Sequence, residues 1–237
     1  MNNLSKITAA ILAGGLGTRL RSVVSGQPKV LAKVNGRPFM AYLLDQLSQA
    51  GVKKVVLCTG YLGEQVEATF GKSYNGLALS YSQEQSALGT GGALRIALPL
   101  LKSEPVLVLN GDSFCQADFI YFLNQHITRK ATASLLLTEV PDIGRYGSVQ
   151  LSMDGKIISF EEKGEKTGTG IINAGVYLLN YTFLESIPKN TNVSLEHEMF
   201  PFWINKGLYG FRSKGNFIDI GIPQDYAAAG VFLKNSG

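Results

Sequence analysis

Ile7-Thr8-Ala9-Ala10-Ile11-Leu12-Ala13-Gly14-Gly15-Leu16-Gly17-Thr18-Arg19 is the stretch on which the reading of this chain turns. Its apolar run is too short to span a membrane and reads as a buried strand. Three glycines in four positions then let the backbone turn sharply, approach a ligand and bare N–H groups toward anionic oxygens. Thr18 adds a hydroxyl, Arg19 a fixed cationic fork, and Lys29, after Pro28, a point charge of the kind phosphates attract. Together they describe a polyphosphate cradle. A dinucleotide fingerprint is excluded because Leu20 stands where its third glycine belongs, and neither Gly14 nor Gly15 leads to the G-K-[ST] of a Walker loop. A plain turn would satisfy the glycines alone, but an idle turn needs none of Thr18, Arg19 and Lys29.

Working outward, Phe39, Leu43, Leu44 and Leu47 recur at helical spacing between Gly36 and Ala50, and Lys54 to Thr59 is a second strand, so the start of the chain is a βαβ unit. A short helix is expected over Tyr61 to Phe70 and a strand over Leu77 to Gln83. Gly89, Thr90, Gly91 and Gly92 open a helix that runs to Leu101, with N–H groups free to meet a ligand. Pro105 to Leu109 is a strand, and Asn110-Gly111-Asp112 sits at its C-terminal end, the edge where ligands bind in open parallel sheets. Further on, a helix through Phe119 and Ile127 precedes a strand over Ala131 to Val140. Asp154-Gly155 marks a tight hairpin between Tyr146–Leu151 and Lys156–Glu161, and Ile171 to Leu179 is another strand. Ser194 caps a short helix that Pro201 is expected to break. Leu208 to Arg212 and Asn216 to Ile220 are the last strands, and Pro223 starts the closing helix. The expected result is a parallel-sheet core of about 130 residues with an antiparallel second half.

The 237 residues suit one well-buried α/β domain, and 45% hydrophobic with 17% charged residues is the composition of an ordinary globule. The net charge of +4 is scattered, which fits a small anionic substrate; no nucleic-acid or membrane partner is expected. Cys58 and Cys115 lack the spacing of a zinc site or disulfide framework. The N-terminus makes a poor secretory signal, so a cytoplasmic protein is expected.

A polyphosphate site calls for a divalent cation, usually Mg²⁺, which takes one or two carboxylates with phosphate oxygens and water. Asp112 and Asp219, each at the C-terminal end of a strand, qualify. His126 and His197 stand in no triad motif and read as packing or surface residues. His197-Glu198 runs into Met199, Phe200 and Pro201, so no H-E-x-x-H is present.

The motifs Leu12–Leu20 with Pro28-Lys29, Leu88-Gly89-Thr90-Gly91-Gly92-Ala93, Asn110-Gly111-Asp112, Glu162-Lys163, Asn173-Ala174-Gly175 and Asp219-Ile220-Gly221 resemble, in order, those of the sugar-1-phosphate nucleotidyltransferases. Leu20-Arg21-Ser22-Val23-Val24 and Arg145-Tyr146-Gly147 are similar to the branch that guanylylates D-glycero-α-D-manno-heptose 1-phosphate. The resemblance implies a Rossmann-like nucleotide-diphospho-sugar transferase fold of the α/β class. Its mixed, mostly parallel central sheet would be flanked by helices, with a small antiparallel sugar-binding portion. Residues 1–237 would form one domain, with a nucleotide-binding half of about 1–130 and a sugar-phosphate half of about 131–237. It implies that Leu12, Ala13, Gly14, Gly15, Gly17, Thr18, Arg19, Glu84, Gly89, Thr90, Asn110 and Gly111 bind a nucleoside triphosphate. Arg19, Lys29 and Asp112 would be catalytic, with Asp112 and Asp219 on Mg²⁺. Tyr146, Gly147, Glu162, Lys163, Asn173 and Gly175 would take the sugar 1-phosphate. Glu84, where the family reads the base, accepts hydrogens without donating them and so favours guanine, with its adjacent N1–H and N2–H, over uracil. Val30, Lys33, Ala87 and Ile222 depart from frequent family residues, which bears on sugar and base preference more than on reaction class. Aromatic residues of the second half suit a homodimer interface as well as the core.

Overall fold

The computed structural model describes residues 3–15, 17–20, 23–161, 164 and 167–234, and of Thr18 the backbone alone. The first half holds strands β1 (Thr8–Ala13), β2 (Lys33–Val34), β3 (Arg37–Pro38), β4 (Lys54–Thr59), β5 (Ser73–Tyr74), β6 (Leu77–Gln83), β7 (Val106–Asn110) and β8 (Ser113–Cys115). The second holds β9 (Ala133–Val140), β10 (Ser148–Leu151), β11 (Ile157–Glu161), β12 (Gly170–Leu179), β13 (Leu208–Arg212) and β14 (Phe217–Asp219). The helices are α1 (Phe39–Gln49), α2 (Gly63–Phe70), α3 (Gly89–Ala97), α4 (Phe119–Thr128), α5 (Tyr181–Ser186), α6 (Phe200–Trp203) and α7 (Pro223–Lys234).

Eight strands form one sheet in the order β13-β9-β12-β7-β1-β4-β6-β5. β7, β1, β4 and β6 are mutually parallel; β12 runs antiparallel to both β7 and β9, and β13 is parallel to β9. The mixed, mostly parallel sheet is therefore as expected. The second half, however, does not build a large antiparallel sheet of its own: β9, β12 and β13 extend the central one, and the separate antiparallel pieces are the small pairs β10–β11 and β14–β8.

Side chains alternate across a strand, so each buried strand feeds two cores. Ala9, Ile11, Leu107 and Leu109 face one, with residues of α1, α2, α4 and α7. Ala10, Val106 and Val108 face the other, with α3, α5 and α6. The chain leaves β1 toward β4 and β6 on one side, then returns past it to β7 on the other. Right-handed crossovers running in opposite directions must lie on opposite faces, so the loops after β1 and β7 diverge and a crevice opens between them. The glycine loop and Asn110-Gly111-Asp112 are the two lips of that crevice.

Three local expectations shift. α1 begins at Phe39 instead of Gly36, because Arg37–Pro38 pairs with Lys33–Val34 and Pro38 takes the cap position. Gly89 to Leu101 is helical as α3 only to Ala97 and closes with a 3₁₀ turn over Leu98–Leu100. Pro201 does not break the helix after Ser194: Leu195–Met199 forms a π-helical turn that passes directly into α6, with Pro201 in its first turn, where the missing N–H costs little.

Candidate active site

A cavity of about 460 Å³ fills the crevice. Leu12, Ala13, Gly14, Gly15, Gly17 and Arg19 line it from the β1 side, with Lys29 beside Gly17. The three glycines serve different ends. A Cβ on Gly14 would stand 2.6 Å from Glu84 Oε1, so Gly14 is small to admit that carboxylate. Gly17 sits at φ +59° with Lys29 Cβ 3.2 Å from where its own would be. A Cβ on Gly15 would meet no atom of the described residues within 4 Å apart from its chain neighbours, so the space its missing side chain would fill is open.

Charges meet at the deeper end. Lys29 Nζ lies 2.7 Å from Asp112 Oδ2. β8 pairs antiparallel with β14, placing Asp219 opposite Ser113, and the Ile220 amide donates to the Asp112 carbonyl at 2.9 Å. The Gly221 amide donates to Asp219 Oδ1. A methyl on Gly221 would lie 3.4 Å from Lys29 Nζ, so the lysine, Asp112 and Asp219 share one small volume. Burial tends to raise the Asp112 carboxyl, but the ammonium of Lys29 beside it holds it below the usual aspartate range. Asp219 is raised by burial and then by the charge of Asp112, with Lys29 and Arg19 opposing. Two converging carboxylates, one lifted by the other, are a donor pair that a hard divalent cation with open positions would relieve. Among the described residues no group of three or more His, Cys, Asp or Glu gathers into a closed metal cage.

Glu84, Gly89, Thr90 and Asn110 complete the lining. The Glu84 carboxyl, raised by burial, accepts the Leu88 amide at 3.1 Å and keeps acceptor capacity free. The second glycine cluster proves to be shaped by the protein itself. Gly89 and Gly91 would drive a Cβ to 2.5 and 3.0 Å from the Val193 carbonyl, and Gly92 to 2.9 Å from that of Thr191. The Gly91 amide, expected to be free for ligand, donates to Val193 at 2.8 Å. Asn192, which sequence reasoning missed, lines the cavity and donates to the Ala87 carbonyl at 3.0 Å. Val30 was noted only as a departure and lines the cavity too. Gly111 does not: its amide bonds the Leu12 carbonyl and a Cβ there would strike it at 2.5 Å, so it clamps β7 against β1.

Tyr146, Gly147, Asn173 and Gly175 are not among the cavity's lining residues. β12 bulges against β9 between Asn173 and Tyr177, with Gly175 at φ +73°, where a Cβ would stand 3.0 Å from Asn110. Tyr177, a residue with no sequence signal, receives hydrogen bonds from Asn110 (3.3 Å) and Asn173 (3.0 Å). Tyr146 packs edge-on against Phe217, two residues before Asp219, with Gly147 at φ +75° behind it. Arg145 stacks on Tyr146 and pairs with Asp225 at 2.7 Å. Glu162 and Lys163, the Thr18 side chain, and Arg21 and Ser22 of the heptose-branch motif lie outside the described residues. His126 is a packing residue as read, fully enclosed between Ser134 Oγ (2.7 Å) and Asn180 Oδ1 (2.9 Å). Cys58 and Cys115 are separate buried thiols, pushed up by burial to about 12 and about 11.

This fold, with a glycine loop and paired aspartates across the switch point, defines a nucleotide-handling transferase, and the chain belongs to the nucleotidyl transferase family, whose pattern it matches over residues 8–236. It is 41% identical over 222 residues to D-glycero-alpha-D-manno-heptose 1-phosphate guanylyltransferase of Aneurinibacillus thermoaerophilus, covering 93% of this chain and 96% of that one. It is 34% identical over 232 residues to mannose-1-phosphate guanylyltransferase of Mycobacterium tuberculosis, covering 96% of this chain and 65% of that longer protein. Among solved structures, HddC from Yersinia pseudotuberculosis complexed with GMP-PN superposes with a TM-score of 0.85 at 34% identity, covering 96% of this chain and 99% of that chain.

Proposed function

We propose that this chain transfers a guanylyl group from GTP to D-glycero-α-D-manno-heptose 1-phosphate, yielding the GDP-sugar and pyrophosphate. The observation that carries the reading is the meeting of Lys29, Asp112 and Asp219 at the switch-point crevice, in a chain 41% identical to a heptose 1-phosphate guanylyltransferase across nearly its whole length.

An acceptor phosphate oxygen attacks the α-phosphorus; the bond from that phosphorus to the bridging oxygen breaks, and the electron pair leaves with pyrophosphate. The acceptor is already an anion, so no strong base is required, and the barrier is repulsion and misalignment between anions. Lys29 meets the charge growing at the α-phosphate, and Arg19, exposed at the cavity mouth, holds the departing pyrophosphate. Gly15 and Gly17 let the loop close on the triphosphate, beside Thr18. Asp112 and Asp219 would hold Mg²⁺, which when bound neutralises phosphate charge and aligns the triphosphate. Glu84 accepts from the guanine edge within the wall made by Gly89, Thr90 and Asn192. Asn173, Gly175, Tyr146 and Gly147 would face the sugar, with Lys163 on its phosphate and Glu162 on its hydroxyls. Among the described residues no helix is long and apolar enough to cross a membrane, and a cytoplasmic enzyme, where GTP is supplied, fits the substrates.

The identity to a mannose-1-phosphate guanylyltransferase supports one second reading, GTP with mannose 1-phosphate. N-acetylmuramate 1-phosphate with UTP keeps the chemistry and changes both substrates. Pyrophosphate release from a matrix of GTP, UTP and these three sugar phosphates tests the proposal: the largest kcat/KM is expected for GTP with the heptose phosphate. Binding without turnover for every pair would mark a nucleotide-sugar sensor on the same scaffold.

A further inference from the structure

Among the described residues, a half-buried polar cluster is centred on Glu196. This residue sits in the π-helical turn Leu195–Met199, an irregularity often kept at functional sites. Its two oxygens take different partners. Oε2 accepts from Thr90 Oγ1 at 2.8 Å and from Ser194 Oγ at 3.1 Å. Oε1 accepts from Tyr177 Oη at 3.1 Å. Thr90 lies in the first turn of α3, where it lines the nucleotide cavity, and its hydroxyl also accepts the Leu195 amide at 2.8 Å. The Tyr177 ring is completely buried, and its hydroxyl takes the amides of Asn110 and Asn173, one on each side of the sheet's β7–β12 seam. The phenol thus spends its one donor and both acceptor positions inside the cluster. A glutamine could not replace Glu196: three hydroxyls donate to its two oxygens, and an amide offers one accepting oxygen only.

We infer that Glu196 is a positioning residue that ties Thr90, on the nucleotide-side wall, to Asn173, on the sugar side, through Tyr177, whose hydroxyl also holds the nucleotide-side Asn110, so that disturbing either end alters binding at the other. The inference rests on the assignment of the two substrates to the two sides of the crevice. A fully satisfied buried network has one low-energy arrangement, and loosening one member loosens those bonded through it. Thr90 and Tyr177 do not need to touch for this coupling, because each is fixed against the same carboxylate.

The test is a set of cross-effects. Asn173→Ala is expected to raise the KM for GTP, and Thr90→Val the KM for D-glycero-α-D-manno-heptose 1-phosphate, each by about three- to tenfold, the size usual for coupling through a packed network. Glu196→Gln is expected to raise both KM values with a smaller change in kcat, and in its background the two other substitutions become additive. A residue needed only for folding would instead lower kcat in proportion to the active fraction and leave both KM values alone. Amide exchange supplies a readout that needs no substrate: in Tyr177→Phe the Leu195 amide, bonded to Thr90, is expected to exchange faster than in the wild type. If each substitution affects only its own substrate and the Leu195 amide is unmoved, the bridge is overturned. If the wild type turns over no sugar phosphate, the guanylyltransferase reading fails instead, and the exchange result alone decides the bridge.

Discussion

Lys29 Nζ and Asp112 Oδ2 stand 2.7 Å apart although 83 positions separate them in the chain. One follows the glycine loop after β1, the other the end of β7, and their contact closes the inner end of the crevice. Asp112→Asn keeps the shape and removes the charge from this contact. Turnover, followed by pyrophosphate release, is expected to fall by at least about 100- to 1,000-fold, the scale on which a single transition-state charge contact acts, while circular dichroism stays native. Near-normal turnover would remove Asp112 from the mechanism.

Asp219 is half-buried beside a like charge, and the Gly221 amide already bonds its carboxyl. Asparagine at this position keeps an oxygen for that amide and relieves the repulsion. Asp219→Asn is therefore expected to be inactive yet more stable than the wild type, with Tm higher by about 2–4 °C for each kcal/mol relieved in a chain of this size. Added Mg²⁺ is expected to raise the melting temperature of the wild type and leave the variant unmoved. An unchanged or lower Tm for the variant would show that Asp112 and Asp219 do not repel one another.

Glu84 carries the choice of base. Glu84→Gln replaces half of its accepting edge with a donor, and the preference for GTP over UTP is expected to drop by about 10- to 100-fold in kcat/KM, the worth of hydrogen bonds to a charged group. Burial raises the Glu84 carboxyl, and only the ionised form accepts from both guanine donors. GTP affinity is then full at pH well above the raised value and is lost as pH falls through it, sooner than for an ordinary glutamate. Calorimetric titration at several pH values checks this, and a wild-type profile matching that of the glutamine variant would discard the assignment.

Gly14 and Gly15 make opposite predictions from adjacent positions. Gly15→Ala adds a methyl to open space, so stability should hold within about 0.5 kcal/mol while KM for the triphosphate rises. Gly14→Ala meets the Glu84 carboxylate at 2.6 Å, so it should displace that side chain and weaken base preference as well as binding. Melting curves and steady-state kinetics on the two variants separate them; equal effects would mean the loop moves as a whole.

Much of this was open to reading along the chain. β4 and β6 end where alternation and burial say they should, at Thr59 and Gln83, because a strand's two faces are written in neighbouring residues. Arg19, Lys29, Asp112 and Asp219 could be singled out because glycine turns and strand ends advertise where a parallel sheet presents ligand groups, and the family motifs extended that set to Glu84 and Asn173. The second glycine cluster was legible only in part: Gly89 and Thr90 line the cavity, but its glycines serve packing as well. Its pattern is that of an anion-binding helix start, yet Gly89, Gly91 and Gly92 are small to admit Thr191 to Val193, about a hundred positions away.

Local order of residues was enough for the element types, the phosphate-seeking loop and the acids at the strand ends, since each depends on steric and hydrogen-bonding preferences within a few positions. The pairing of Lys29 with Asp112, the lift that Asp112 imposes on Asp219, the entry of Asn192 into the cavity wall and the convergence of Thr90 and Tyr177 on Glu196 were decided only when the chain closed. Electrostatic and packing energies depend on distance in space, and no spacing along the backbone encodes them.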